Sequence, residues 1–145
     1  MSAHGVYELF LNGKKVSDCF LAPEISAYQK MLYYQTYDVT KYLKFEENVL
    51  AVTVADGWWI GRIGLLGASC QYGNRLGIIL QLEITYEDGG KDVICSDGSF
   101  ECRESEIRYS DLYIGEKCDK TMETQIWRSC LPVNYSKENL VAQPT

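Results

Sequence analysis

Short apolar runs in this chain end, one after another, at residues that favour tight turns, and that rhythm leaves little room for anything but an antiparallel β architecture. Val6-Tyr7-Glu8-Leu9-Phe10-Leu11 alternates, Asn12-Gly13 supplies the pair that tolerates the positive φ angles of a type I′ turn, and Lys14-Lys15-Val16 starts the return strand. Leu32 to Val39 reads as a second strand rich in Tyr and Thr, running into a helical turn over 38–43 with Asp38 as its N-cap. Val49 to Val54 follows, and Leu76 to Tyr86 reads as one long strand with Leu80, Leu82 and Ile84 on one face. The turns Glu87-Asp88-Gly89-Gly90 and Ser96-Asp97-Gly98-Ser99 then fold Lys91–Cys95 and Phe100–Arg103 into a meander. The expected fold is all-β: a jelly-roll-like antiparallel β-sandwich forming a single domain over residues 1–139. The polar, Pro-containing segment Leu140 to Thr145 is expected to begin a linker.

Composition narrows the function classes. Hydrophobic residues make up 46% of the 145, enough for a chain of this length to bury a core of its own. The net charge is −6 and no run of Lys or Arg occurs, so the electrostatic attraction that brings proteins to nucleic acid or to anionic membrane is missing. No stretch of about 18 apolar residues occurs that could span a bilayer, and no basic and apolar leader opens the chain, so the expected compartment is the cytoplasm. Six cysteines, at 19, 70, 95, 102, 118 and 130, include no CxxC pair, and the single His4 offers no zinc spacing. Free, buried thiols are the expectation for a reducing compartment, with Cys95 and Cys102, which flank a Ser-Asp-Gly turn, as the pair worth checking for a bridge. A nucleophilic triad needs a base beside Ser or Cys, and the only histidine is expected in a frayed N-terminus. Paired carboxylates stay possible among the 20 acids, but spacing in sequence cannot place two of them on facing loops, and no catalytic residue is assigned.

Two segments carry recognition chemistry. Asp56-Gly57-Trp58-Trp59-Ile60-Gly61-Arg62 follows the β-branched run to Val54 and gathers an acid, two indoles and a guanidinium at one strand end. Indole faces stack on the C–H surfaces of a sugar while carboxylates accept its hydroxyls; the same two tryptophans also suit a sandwich core. A Gly-rich connection from Gly61 to Gly73 is long enough to mark function or a partner surface. The second segment, Arg108 to Asp119, mixes Tyr109, Asp111, Tyr113 and Glu116 in a loop-like setting. It reads as a sugar, calcium or interdomain contact, or as a solvated edge strand.

Read in order, Tyr7 to Val16, Tyr34 to Thr40, Asn48 to Val52, Asp56 to Arg62, Tyr72-Gly73-Asn74-Arg75, Asp111 to Glu116 and the exit Leu140 to Pro144 resemble the N-terminal accessory domain of bacterial α-L-rhamnosidases. The resemblance covers nearly the whole chain. It implies a jelly-roll sandwich that precedes an (α/α)-barrel catalytic domain, in an enzyme that hydrolyses terminal α-L-rhamnose with inversion through carboxylates of the barrel. On that basis residues 140–145 lead toward the barrel, and this segment is a non-catalytic domain that packs on it. In some relatives such a domain binds L-rhamnose with calcium assisting. Carried onto this chain, the carbohydrate candidates are Asp56, Trp58, Trp59 and Arg62 with Tyr109, Asp111 and Glu116, and the calcium candidates are Asp56 and Glu116.

Overall fold

In a computed structural model, which describes residues 1–123 and 126–144, short strands pair into ladders of two or three. The architecture is an all-β sandwich with almost no helix. Its centre is β2 (Val6–Leu11), flanked by β3 (Lys14–Lys15) and β5 (Leu50–Ala55), both antiparallel. The Asn12-Gly13 turn forms as its residue types require, with φ of 54° and 76°. Strand periodicity decides what is inside: Tyr7, Leu9 and Leu11 are buried while Glu8 faces water. With Ala3, Val16, Ala22 and Leu80 they form the main core.

The remaining ladders wrap this centre. Strand β1 (Ser2–His4) pairs with β6 (Gly77–Ile79), and β7 (Gln81–Thr85) with β8 (Lys91–Cys95). Strand β9 (Glu101–Cys102) pairs with β12 (Arg128–Ser129), and β10 (Ile107–Asp111) with β11 (Gly115–Cys118). The long strand expected over 76–86 is broken at Leu80, whose N–H donates to Ser96 Oγ and whose carbonyl accepts from Ser96 N–H, so both groups leave the ladder. The break turns Leu80 into the core. The strand expected over 32–39 is cut to β4 (Leu32–Tyr34), and the turn after it forms over Thr40–Tyr42, with Asp38 Oδ1 accepting the Thr40 N–H one position early.

Leu140 to Ala142, expected to open a linker, instead form β13, which pairs in parallel with β4. A buried polar node explains why this exit is held. Tyr7 donates its hydroxyl to Gln35 Oε1 at 2.6 Å, and Gln35 Nε2 donates to Gln143 Oε1 at 2.7 Å, so the chain's end is tied to its first long strand. Leaving Gln35 unpaired in this interior would cost about 1–3 kcal/mol, and its Nε2 also reaches the Pro23 carbonyl at 3.3 Å. The cysteine expectation is half overturned: all six thiols are free, but Cys19, Cys70, Cys95, Cys102 and Cys118 are exposed and Cys130 is half-buried. Small sheets with one face in water leave few fully covered positions for them.

Candidate functional site: the tryptophan turn and its hairpin

The register of β5 against β2 ends at Val6 and Ala55, so the chain must turn at Asp56. Gly57 makes that turn possible. Its φ is +49°, and a Cβ there would stand 2.5 Å from Val6 Cγ1, so only glycine lets the backbone press against β2 and start helix α1 (Gly57–Ile60) at once. The helix is one turn long, closed by Ile60 N–H to Asp56 O and Gly61 N–H to Gly57 O. That single turn sends Trp58 and Trp59 in different directions.

Trp59 goes inward and is only 7% exposed. His4 stacks on it at 3.8 Å with planes 6° apart, Tyr28 meets it edge-on at 5.4 Å, and Tyr72 lies near-parallel at 6.3 Å. Its Nε1–H donates to the Arg75 carbonyl at 3.1 Å, which satisfies the one polar atom of the indole. Gly73 packs so closely that a Cβ would come within 2.5 Å of the ring. Protein rings therefore use the stacking surface that a sugar would need, and Trp59 is the keystone of a second core cluster with Tyr28 and Leu32. His4, expected in a frayed terminus, is instead a strand residue, and burial lowers the pKa of its imidazole, favouring the neutral ring. Trp58 is half-buried against the same cluster, and the Arg62 side chain is exposed.

Asp111 joins this turn to the β10–β11 hairpin. Its Oδ2 accepts the Arg62 N–H at 2.7 Å, and its Oδ1 accepts the N–H groups of Tyr113 and Ile114 at 2.8 and 3.3 Å. Burial works against its charge, but those three donors and the Arg62 charge outweigh it and hold the carboxyl below its usual range. Asp56 sits on the other side of the junction with its pKa raised, first by burial and then by the Asp111 charge. The structure thus gathers Asp56, Trp58, Trp59, Arg62 and Asp111 around one turn. Tyr109 and Glu116 stand apart on the hairpin ladder, paired with Lys117 and Ser110 and open to water. Hollows of about 330 and 400 Å³ open elsewhere, beside Arg103 and Glu106 and beside Glu101 and Trp127.

Calcium takes six to eight oxygens at close range, and the two calcium candidates stand on different elements, Asp56 at the turn and Glu116 on the hairpin ladder. Both Asp111 oxygens are committed to backbone N–H groups, and among the described residues no three His, Cys, Asp or Glu side chains converge on one point.

Residues beyond the expected set complete the picture. The Gly61–Gly73 connection carries Leu65 and Leu66 at its crest, 89% and 99% exposed. Leu66 has a φ of +57°, an unusual conformation for a leucine. Nothing in local patterning separates these leucines from core ones; the glycines around them are the one signal that they ride on a loop.

Comparison with known proteins decides the family. A family model described as the α-L-rhamnosidase N-terminal domain matches residues 1–142. The chain belongs to that family. An α-L-rhamnosidase of Streptomyces avermitilis is 41% identical over 128 residues, which are 88% of this chain and 12% of that protein. One from Formosa agariphila is 35% identical over 128 residues, 88% of this chain and 14% of that protein. Among solved structures, native α-L-rhamnosidase from Aspergillus terreus matches with a TM-score of 0.89 at 35% identity, covering 97% of this chain and 18% of that one. The Streptomyces avermitilis enzyme complexed with L-rhamnose matches at 0.78 and 40% identity, covering 81% and 11%. The chain therefore spans about an eighth of the curated relatives' length.

Proposed function

We propose that this domain is a non-catalytic part of an inverting α-L-rhamnosidase and packs on the (α/α)-barrel catalytic domain, shaping the approach to its active site. The observation that carries the reading is the pair Leu65 and Leu66, held fully outward on a glycine-rich crest while Trp59, a few residues earlier, turns into the core. Adjacent leucines with nothing on them mark a surface built to be covered, since each leaves about 1.5–3 kcal/mol of burial unused. The relatives' much greater length supports an occupant within the same polypeptide. In that arrangement the carboxylates that cleave the rhamnosyl bond come from the barrel, and this domain supplies shape and stability.

The test is made in the longer rhamnosidase that carries this domain. Leu65→Asp with Leu66→Asp is expected to lower the melting temperature by several degrees and to reduce turnover of an aryl α-L-rhamnoside. Unchanged melting and unchanged turnover would overturn the packing role.

A second reading, binding of terminal L-rhamnose by the domain itself, draws support from Trp58, which is half-buried between Asp56 and the exposed Arg62. It is separated from the first by titrating L-rhamnose against the domain, with and without calcium, and following tryptophan fluorescence. A saturable change lost in Trp58→Ala would establish a binding module; no change at tens of millimolar sugar would leave the packing role.

A further inference from the structure

Strands β9 and β12 form a ladder only two residues deep, Cys102 opposite Arg128 and Glu101 opposite Ser129, extended by a hydrogen bond from Cys130 N–H to the Phe100 carbonyl at 2.7 Å. Antiparallel pairing puts every second residue on one face, so Cys102 and Cys130 share a face as diagonal neighbours across the ladder. Across that face Cys102 is the thiol neighbour that acts on Cys130. Cys102 is exposed and Cys130 half-buried. Cys95, the neighbour expected for Cys102 from sequence spacing, is committed to β8, where it pairs with Gln81.

We propose that Cys102 and Cys130 are a redox-active pair that closes to a cross-strand disulfide when a low-molecular-weight disulfide such as oxidised glutathione is present. Cys102, the more open sulfur, attacks as thiolate on one sulfur of the oxidant; the mixed disulfide forms and one glutathione leaves as thiolate. Cys130 then gives its proton to solvent, attacks the Cys102 sulfur and displaces the second glutathione. Two protein thiols are oxidised to one S–S bond, and one oxidised glutathione is reduced to two thiols. Burial, and after it the neighbouring Cys102, raises the pKa of the Cys130 thiol, which leaves the more open Cys102 as the sulfur that reacts first. The bond closes a loop over residues 103–129 and clamps the short ladder that carries exposed Trp127.

The test incubates the folded 145-residue chain with oxidised glutathione, blocks remaining thiols and maps the linkage by mass spectrometry. The expected result is a fall from six free thiols to four, with the tryptic peptide 92–103 joined to 129–137. Peptide 92–103 holds both Cys95 and Cys102, so the same digestion is repeated on Cys95→Ser, which is expected to keep the linkage. Cys130→Ser is expected to stop at a glutathione adduct on Cys102. The oxidised chain should melt on the order of 10 °C above the reduced one. Six thiols remaining, a bond within peptide 92–103, or an interpeptide bond that disappears in Cys95→Ser would each overturn the assignment.

Discussion

Asp111 offers the sharpest test of how the two candidate segments are joined. Its carboxylate accepts three backbone N–H groups, from Arg62, Tyr113 and Ile114, at 2.7, 2.8 and 3.3 Å. A hydrogen bond to a charged acceptor contributes about 1.5–3 kcal/mol. The group is covered by its immediate neighbours but lies close to the surface, so the low end applies to the two short bonds and the long one adds little. Asp111→Ala should then cost about 3 kcal/mol, and Asp111→Asn about half of that, because the amide keeps one accepting oxygen and turns its NH₂ toward a donor. The pH dependence follows from the lowered pKa of Asp111. A carboxylate whose folded pKa is depressed adds stability that is complete above the unfolded value, about 3.9, and is lost as pH falls through the folded value. Urea unfolding at pH 7 should therefore show the full gap between wild type and Asp111→Asn, and the gap should narrow as pH falls below about 3.9. Asp56, raised partly by the Asp111 charge, should titrate lower in the Asn variant, as read by carboxyl NMR shifts. An Asp111→Ala variant within 0.5 kcal/mol of wild type, on the order of the noise in such data, would refute the view that this carboxylate ties the hairpin to the tryptophan turn. So would a gap that ignores pH.

Three further outcomes follow from the same geometry. Asp56→Asn should stabilise the domain at pH 7, because a carboxyl with a raised folded pKa opposes folding above that value, and the gain should vanish below about pH 4 in the same urea titrations. Gly73→Ala should cost about 1–3 kcal/mol and shift Trp59 emission, since its Cβ would come within 2.5 Å of the indole, whereas Gly77→Ala, with open space around it, should be neutral by thermal melting. His4→Phe keeps a ring on Trp59 without a titrating group; its stability should hold as pH drops below about 6.5, where wild type loses some because the unfolded chain binds the proton more readily.

The parts of the fold that were legible in the sequence are those decided by neighbours along the chain. The Val6–Leu11 strand, the Asn12-Gly13 turn and the Lys91–Cys95 return strand all stand where periodicity and turn chemistry put them. The parts that were not legible depend on partners far away in sequence. Leu80 breaks a strand that local patterning makes continuous, because Ser96 takes both of its backbone groups. Leu140 to Ala142 look like a linker until Gln35, over a hundred residues earlier, takes Gln143 as its partner and brings the segment beside β4.

The candidate site divides along the same line. Spacing placed Asp56, Trp58, Trp59 and Arg62 on one turn, because the seven-residue segment from Asp56 to Arg62 holds them there whatever surrounds them. It did not settle which indole faces inward, since that choice is made by His4, Tyr28 and Tyr72, residues with no local tie to the turn. Asp111 carries the same lesson from the other side. A carboxylate in a Tyr-rich loop looks equally suited to a sugar hydroxyl, a calcium ion or a backbone amide, and only the arrival of the Arg62 N–H at 2.7 Å selects the third. Once that oxygen is taken, the acid and aromatic side chains that made this surface look like a sugar site are largely spent on holding the turn in place. The most exposed apolar side chains of the connection are Leu65 and Leu66 at its crest, alongside the exposed Arg62 and Tyr113. Stacking on a sugar needs an open ring face and free acceptors, whereas contact with another domain needs only uncovered apolar area, and the outer side of this turn is far richer in the second.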